Sequence, residues 1–157
     1  PNGTMDQAVI RGLALGIYGP EAGRLEGISA GLGVVAHDHA IGANLGILGL
    51  VTGGGAYGIN VGGLGMVTEG AAIGVNLGGL GLVTEGSAIG LNIGGLGAVA
   101  EGGMQGINVG GLGMVTEGAA IGVNLGGLGL VMEGGAIGVN VVTVCWSPDS
   151  DARMIRL

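Results

Sequence analysis

An asparagine returns every sixteen residues through most of this chain, at Asn44, Asn60, Asn76, Asn92, Asn108, Asn124 and Asn140. Each lies in the frame Gly-aliphatic-Asn-aliphatic-Gly, followed by Gly-Leu-Gly-aliphatic-Val and then Thr-Glu-Gly or a close variant. Self-similarity at a short fixed period marks a repeat architecture, in which each unit buries its faces against its neighbours. The frame extends towards the N-terminus. Gly12-Leu-Ala-Leu-Gly16 places Ala14 in the asparagine slot, and Gly27-Ile-Ser-Ala-Gly31 places Ser29 there. Nine slots result, the first two intervals being fifteen residues and the other six sixteen. Gly58 to Val83 recurs unchanged as Gly106 to Val131, three repeats later. The chain divides into degenerate N-terminal coils and cap (1–41), a regular array (42–144) and a C-terminal cap (145–157).

Within a repeat the period is two. In Ile73-Gly-Val-Asn-Leu-Gly78, Ile73, Val75 and Leu77 share one face, and Gly74, Asn76 and Gly78 share the other, the alternation of a half-buried strand. Gly78-Gly79 breaks the phase, Leu80 to Thr84 reads as a second short strand, and Glu85-Gly-Ser-Ala88 as a second turn. One repeat is therefore two strands and two turns. The fold class is all-β, a β-solenoid of about nine 15–16-residue coils, roughly 40 Å long at the inter-strand spacing. A hairpin array does not explain the asparagine column, because antiparallel neighbours do not bring identical positions together. An outer-membrane β-barrel needs aromatic girdles and strands of about 9–11 residues, whereas aromatics here are 2%. The aliphatic set Ile73, Val75, Leu77, Leu80 and Leu82 is expected to fill a narrow interior. Gly74, Asn76 and Gly78 would then form a flat outer face, with Gly81 and Val83 outward on the other side.

Composition removes several function classes. Gly is 42 of 157 residues, but it does not recur every third position and Pro is only 3, which excludes collagen. A hydrophobic content of 48% against 10% charged residues excludes a disordered chain. The net charge is −7, and no basic residue lies between Gly42 and Val144, so no nucleic-acid footprint exists in the array. No stretch resembles a membrane helix, and no leader segment is legible. The single Cys145 excludes an intramolecular disulfide and reads as packed.

The asparagine column reads as a structural ladder, since stacked amides can hydrogen-bond donor to acceptor from coil to coil. Glu69, Glu85, Glu101, Glu117 and Glu133 form a second column. Stacked roughly 5 Å apart, such carboxylates repel by about 1 kcal/mol per neighbouring pair in water. They either splay into solvent, the favoured reading, or form a row for cations such as Ca²⁺. His37-Asp38-His39 is read as a solvated turn, with a two-ligand surface site as the alternative. Gly53-Gly-Gly-Ala-Tyr-Gly58 matches G-x-G-x-x-G, a weak match in so glycine-rich a chain with no helix to follow. Thr52, Thr68, Thr84 and Thr116 share one column with Ala100 and Met132, an interrupted version of the flat threonine arrays of ice-binding solenoids. No catalytic residue, resident metal or cofactor is expected.

Gly12-Leu-Ala-Leu-Gly-Ile-Tyr-Gly19, Gly42-Ala-Asn-Leu-Gly-Ile-Leu-Gly49 and the later Gly-aliphatic-Asn-aliphatic-Gly-Gly-Leu-Gly copies resemble bacterial glycine-rich surface-repeat proteins, whose repeats are about fifteen or sixteen residues long and whose function is uncharacterised. The resemblance runs from about residue 10 to 144. The chain departs from it in carrying Gly where that family often has Asn, after the second hydrophobic pair. The resemblance implies an exported, extracellular or surface-associated bacterial protein, with no catalytic residue or known ligand to carry over. The expected function is a non-enzymatic structural role, in which flat Gly/Asn faces mediate self-association or surface contact. The alternatives are a binding module for a repetitive surface (ice, glycan or a cation lattice) and an outer-membrane barrel. The expected partner is a second copy or a flat surface, with no nucleic acid, no small-molecule substrate and no membrane insertion.

Overall fold

The computed structural model describes residues 7–146 and 155–156. Thirteen strands are present: β1 (Val9–Gly16), β2 (Glu21–Thr52), β3 (Ala56–Gly62), β4 (Gly65–Thr68), β5 (Ala72–Gly78), β6 (Gly81–Thr84), β7 (Ala88–Gly94), β8 (Gly97–Ala100), β9 (Met104–Gly110), β10 (Gly113–Thr116), β11 (Ala120–Met132), β12 (Ala136–Trp146) and β13 (Ile155–Arg156). Every pairing between them is parallel, and within the repeats from β1 to β12 each joins a residue to its counterpart in the neighbouring repeat. The chain is a β-solenoid. Parallel stacking excludes the hairpin array and the outer-membrane barrel together, because the strands of such barrels are antiparallel.

Each regular coil has a seven-residue strand and a four-residue strand, as β5 and β6 illustrate. The seven-residue strands stack as one wall, β3-β5-β7-β9-β11, and the four-residue strands as the other, β4-β6-β8-β10. Towards the N-terminus, where repeats are degenerate, β2 runs unbroken for 32 residues around the corners. His37-Asp38-His39 lies within that strand rather than in a turn. The nine slots are in register from Ala14 opposite Ser29 to Asn124 opposite Asn140. Nine rungs make eight turns of the solenoid. The register shifts where Gly126 to Gly129 of β11 stands against Val142 to Val144 of β12, so that the last coil is one residue shorter there. At the C-terminal end β13 pairs with Val141 and Val142 of β12, adding a short strand to that edge. The turn expected at Ser147 to Asp151 and the side chain of Cys145 lie outside the described residues.

The interior is the reverse of the expected one. Along Ala72–Gly78, Ala72, Asn76 and Gly78 are buried, while Ile73, Val75 and Leu77 point outward. Leu80 is 52% exposed at the corner. Of the expected inward set only Leu82 is buried, in a column with Leu50, Met66, Ala98, Met114 and Leu130. Thr52, Thr68, Thr84 and Thr116 complete the short-strand contribution to the core. The outward placement of Val83 agrees with expectation.

The cause is the thinness of the coil. A Cβ added at Gly78 would lie 1.9 Å from the carbonyl oxygen of Gly81, at the corner where the two walls of the coil meet. Two walls that close leave room for Gly, Ala and one amide from the long strand. Leu or Met is accommodated at only one position, on the short strand. Gly74 sits at φ +121°, and a Cβ there would lie 2.1 Å from the Gly58 carbonyl oxygen. Glycine is required at this slot for both reasons. Core volume is also traded between columns. Ala98 and Ala100 are small where other coils carry Leu, Met or Thr, and Met104 stands next in sequence where other coils carry Ala.

Candidate functional site

The asparagine ladder is formed, and it is internal. Asn44 Nδ2 donates to Asn60 Oδ1 at 2.9 Å, and the pattern continues through Asn76, Asn92, Asn108 and Asn124 to Asn140 at 2.7–3.0 Å. Every bond points the same way, with the amide nitrogen donating towards the C-terminal end. Ser29 closes the N-terminal end of the file, its hydroxyl donating to Asn44 Oδ1 at 2.6 Å. One amide per coil, spaced at the strand separation, satisfies its neighbours where water does not reach. These residues therefore hold the core and offer nothing to a ligand, and the flat Gly/Asn outer face does not exist. The threonine column is likewise buried, so no hydroxyl array is displayed. Thr52 Oγ1 and Thr116 Oγ1 make long bonds of 3.4 and 3.3 Å to the carbonyls of Gly54 and Gly118. Thr68 Oγ1 and Thr84 Oγ1 have no partner.

What faces outward is aliphatic. The long-strand wall presents three columns. The central one runs Leu13, Ile28, Ala43, Ile59, Val75, Leu91, Ile107, Val123, Val139, and the next Leu15, Ala30, Leu45, Val61, Leu77, Ile93, Val109, Leu125, Val141. Neither contains a polar residue. The third column, in register with Ile73 and bordering the glutamate turn, holds all the polar exceptions: Arg11, Glu26, Tyr57 and Gln105. Arg11 and Glu26 form an ion pair of 2.8 Å, with Arg24 3.2 Å from the same carboxylate. One corner carries a ridge of exposed leucines, Leu48, Leu64, Leu80, Leu96, Leu112 and Leu128, joined by backbone bonds from each N–H to the preceding leucine carbonyl. The short-strand wall adds Val51, Val67, Val83, Val99 and Val115, all exposed. The central wall is dented where Ala30 and Ala43 replace larger residues. The depression of about 270 Å³ is edged by Ile28, Leu45, Ile59 and Val61.

The opposite corner is acidic. Glu69, Glu85, Glu101, Glu117 and Glu133 are all exposed there, each backbone N–H bonded to the threonine-column carbonyl of the preceding coil. Among the described residues no three His, Cys, Asp or Glu side chains come together as a metal site. The two histidines engage separate carboxylates. His37 Nε2 lies 3.1 Å from Glu21 Oε1, and His39 Nε2 lies 3.1 Å from Asp38 Oδ1. The Gly55 N–H donates to His39 Nδ1 at 2.8 Å, so Nε2 carries the proton that faces Asp38. Tyr57 packs edge-on against the His39 ring. Gly53-Gly-Gly leads into strand β3 rather than a helix, so the glycine-rich match provides no helix N-terminus for a phosphate.

The alternation of the sequence identified correctly which residues share a face. It carried no sign for which face is inside, and so the aliphatic surface was missed. A signal was present in the Gly-Gly pairs, which mark a corner too tight for a larger side chain at the end of the long strand. No family model, curated protein or solved structure matches this chain.

Proposed function

We propose that this protein is a non-enzymatic structural protein that acts by contact, through the aliphatic outer surface of its solenoid. The single observation that carries this reading is the polarity of the long strand: its asparagine amides lie inside, and aliphatic columns without a polar residue lie outside. Monomeric soluble proteins rarely leave apolar patches beyond about 300–600 Å² uncovered. Two polar-free columns over eight turns, a ridge of six leucines and a column of five valines together make a larger apolar surface than that. Among the described residues, the acidic corner is the continuous strip that favours water. A rod of this kind joins self-associating or surface-binding structural elements, and the resemblance to bacterial surface-repeat proteins favours an exported, surface-associated setting. Among repetitive surfaces, an apolar one suits these columns better than ice or a glycan, which reward hydroxyl and amide groups.

The test places charge on the outward columns of the long-strand wall. Ile59→Lys, Leu91→Lys and Val123→Lys together should leave the circular dichroism spectrum unchanged. They should also reduce mass in solution and adsorption to apolar surfaces. A folded triple variant that associates and adsorbs like the parent would overturn the reading.

A further inference from the structure

Resting on that reading, we infer that the long-strand wall packs against the same wall of a second copy, with the two solenoids side by side, their axes parallel, and a two-fold axis running along them. The area is right. Nine rungs at about 4.8 Å and some five residues of strand give a face of roughly 40 by 17 Å, so about 1,400 Å² is buried in total, within the range of stable interfaces. The texture is also right. A wall corrugated every coil is matched by another wall with the same repeat, and sheets pack with strands within about 30° of alignment. A lipid surface is the weaker partner. Interfacial membrane binding draws on Lys, Arg and Trp, and the array from Gly42 to Val144 contains none of these.

The acidic corner selects the orientation. It borders the wall on the side of the column that holds Arg11, Glu26 and Gln105. Two walls can face each other with axes parallel or antiparallel. An antiparallel pair places both glutamate rows on the same side, about 10 Å apart across the sheet spacing, close to one screening length in physiological salt. A parallel pair sends the rows to opposite sides. The central columns then lie at the middle of the interface, and the column holding Arg11, Glu26 and Gln105 runs along one edge of each wall.

The parallel geometry has a signature. Each residue of the central column faces its own copy, whereas in an antiparallel pair centred on Val75 the residue Ala43 faces Ile107. The experiment uses the chain with Cys145→Ala and either Ala43→Cys or Ile107→Cys, both outward positions, treated with a short bis-maleimide matched to the ~10 Å separation of packed sheets. Each variant alone should form a crosslinked dimer, and adding Val75→Lys should abolish the crosslink and halve the mass measured by light scattering. Crosslinking only when the two variants are mixed would overturn the parallel dimer while leaving the contact function intact. A monomer that coats phosphatidylcholine vesicles would overturn the second copy as partner and make lipid the occupant of the wall. A monomer that neither crosslinks nor adsorbs would overturn both this inference and the function it rests on.

Discussion

Asn92 shows what a single residue does here. Its amide accepts from Asn76 and donates to Asn108, both at 2.8 Å and both buried. Asn92→Ala therefore strands a donor above and an acceptor below. The expected cost is about 2–4 kcal/mol, since each unmet buried group costs about 1–3 kcal/mol. Ser29→Ala strands only the Asn44 acceptor and should cost about 1 kcal/mol. Urea denaturation midpoints compare the two, and equal, negligible losses would show that the file is ornamental. Thr84 is the opposite case. Its hydroxyl is buried without a partner, and Ala100 and Met132 occupy the same column. Thr84→Val should be neutral or stabilise by up to ~1 kcal/mol; a loss above that would reveal a partner for Oγ1.

At the scale of the element, glycine separates the positions that set the coil from those that merely fill it. Gly74 holds a positive φ and has a carbonyl oxygen 2.1 Å from where a Cβ would stand, whereas Gly81 has its nearest neighbour at 3.8 Å. Gly74→Ala should cost about 3 kcal/mol or more through strain and displacement of the adjoining coil. Gly81→Ala should stay within about 1 kcal/mol of the parent. Thermal melts followed by circular dichroism measure both, and tolerance at Gly74 would contradict the close approach of neighbouring coils. The fold of each coil was legible in sequence to this level. The two strands, their turns and the paired faces all follow from period two and the Gly-Gly breaks. The direction of the faces was not, because Ile73-Gly-Val-Asn-Leu-Gly78 alternates identically whichever side is buried.

For the whole molecule the acidic corner and the aliphatic walls act against each other. Five exposed carboxylates in a row oppose stacking, by about 1 kcal/mol per neighbouring pair at most in water. Glu85→Gln, Glu101→Gln and Glu117→Gln together should raise the melting temperature at low salt. The gain should vanish near 1 M salt, where the screening length falls to about 3 Å. Millimolar Ca²⁺ should leave the parent's melting temperature unchanged, whereas a concentration-dependent rise would make the row a cation site. The same triple variant should associate more strongly, because the corner beside the wall then carries less charge.

By itself, the amino-acid sequence determined the repeat, its parallel register and the pairing of asparagines. Identical residues at equal intervals can be satisfied together only when every coil repeats the one before it. It also determined that an amide file would exist, because Asn at each rung matches the strand spacing. The tertiary structure alone decided that the file lies inside and the aliphatic columns outside. That choice depends on the distance between the two walls of a coil. The inward slots of the long strand are held by Ala72, Asn76 and Gly78, the last tight against the Gly81 carbonyl at the corner, and the alternation then leaves Ile73, Val75 and Leu77 outside.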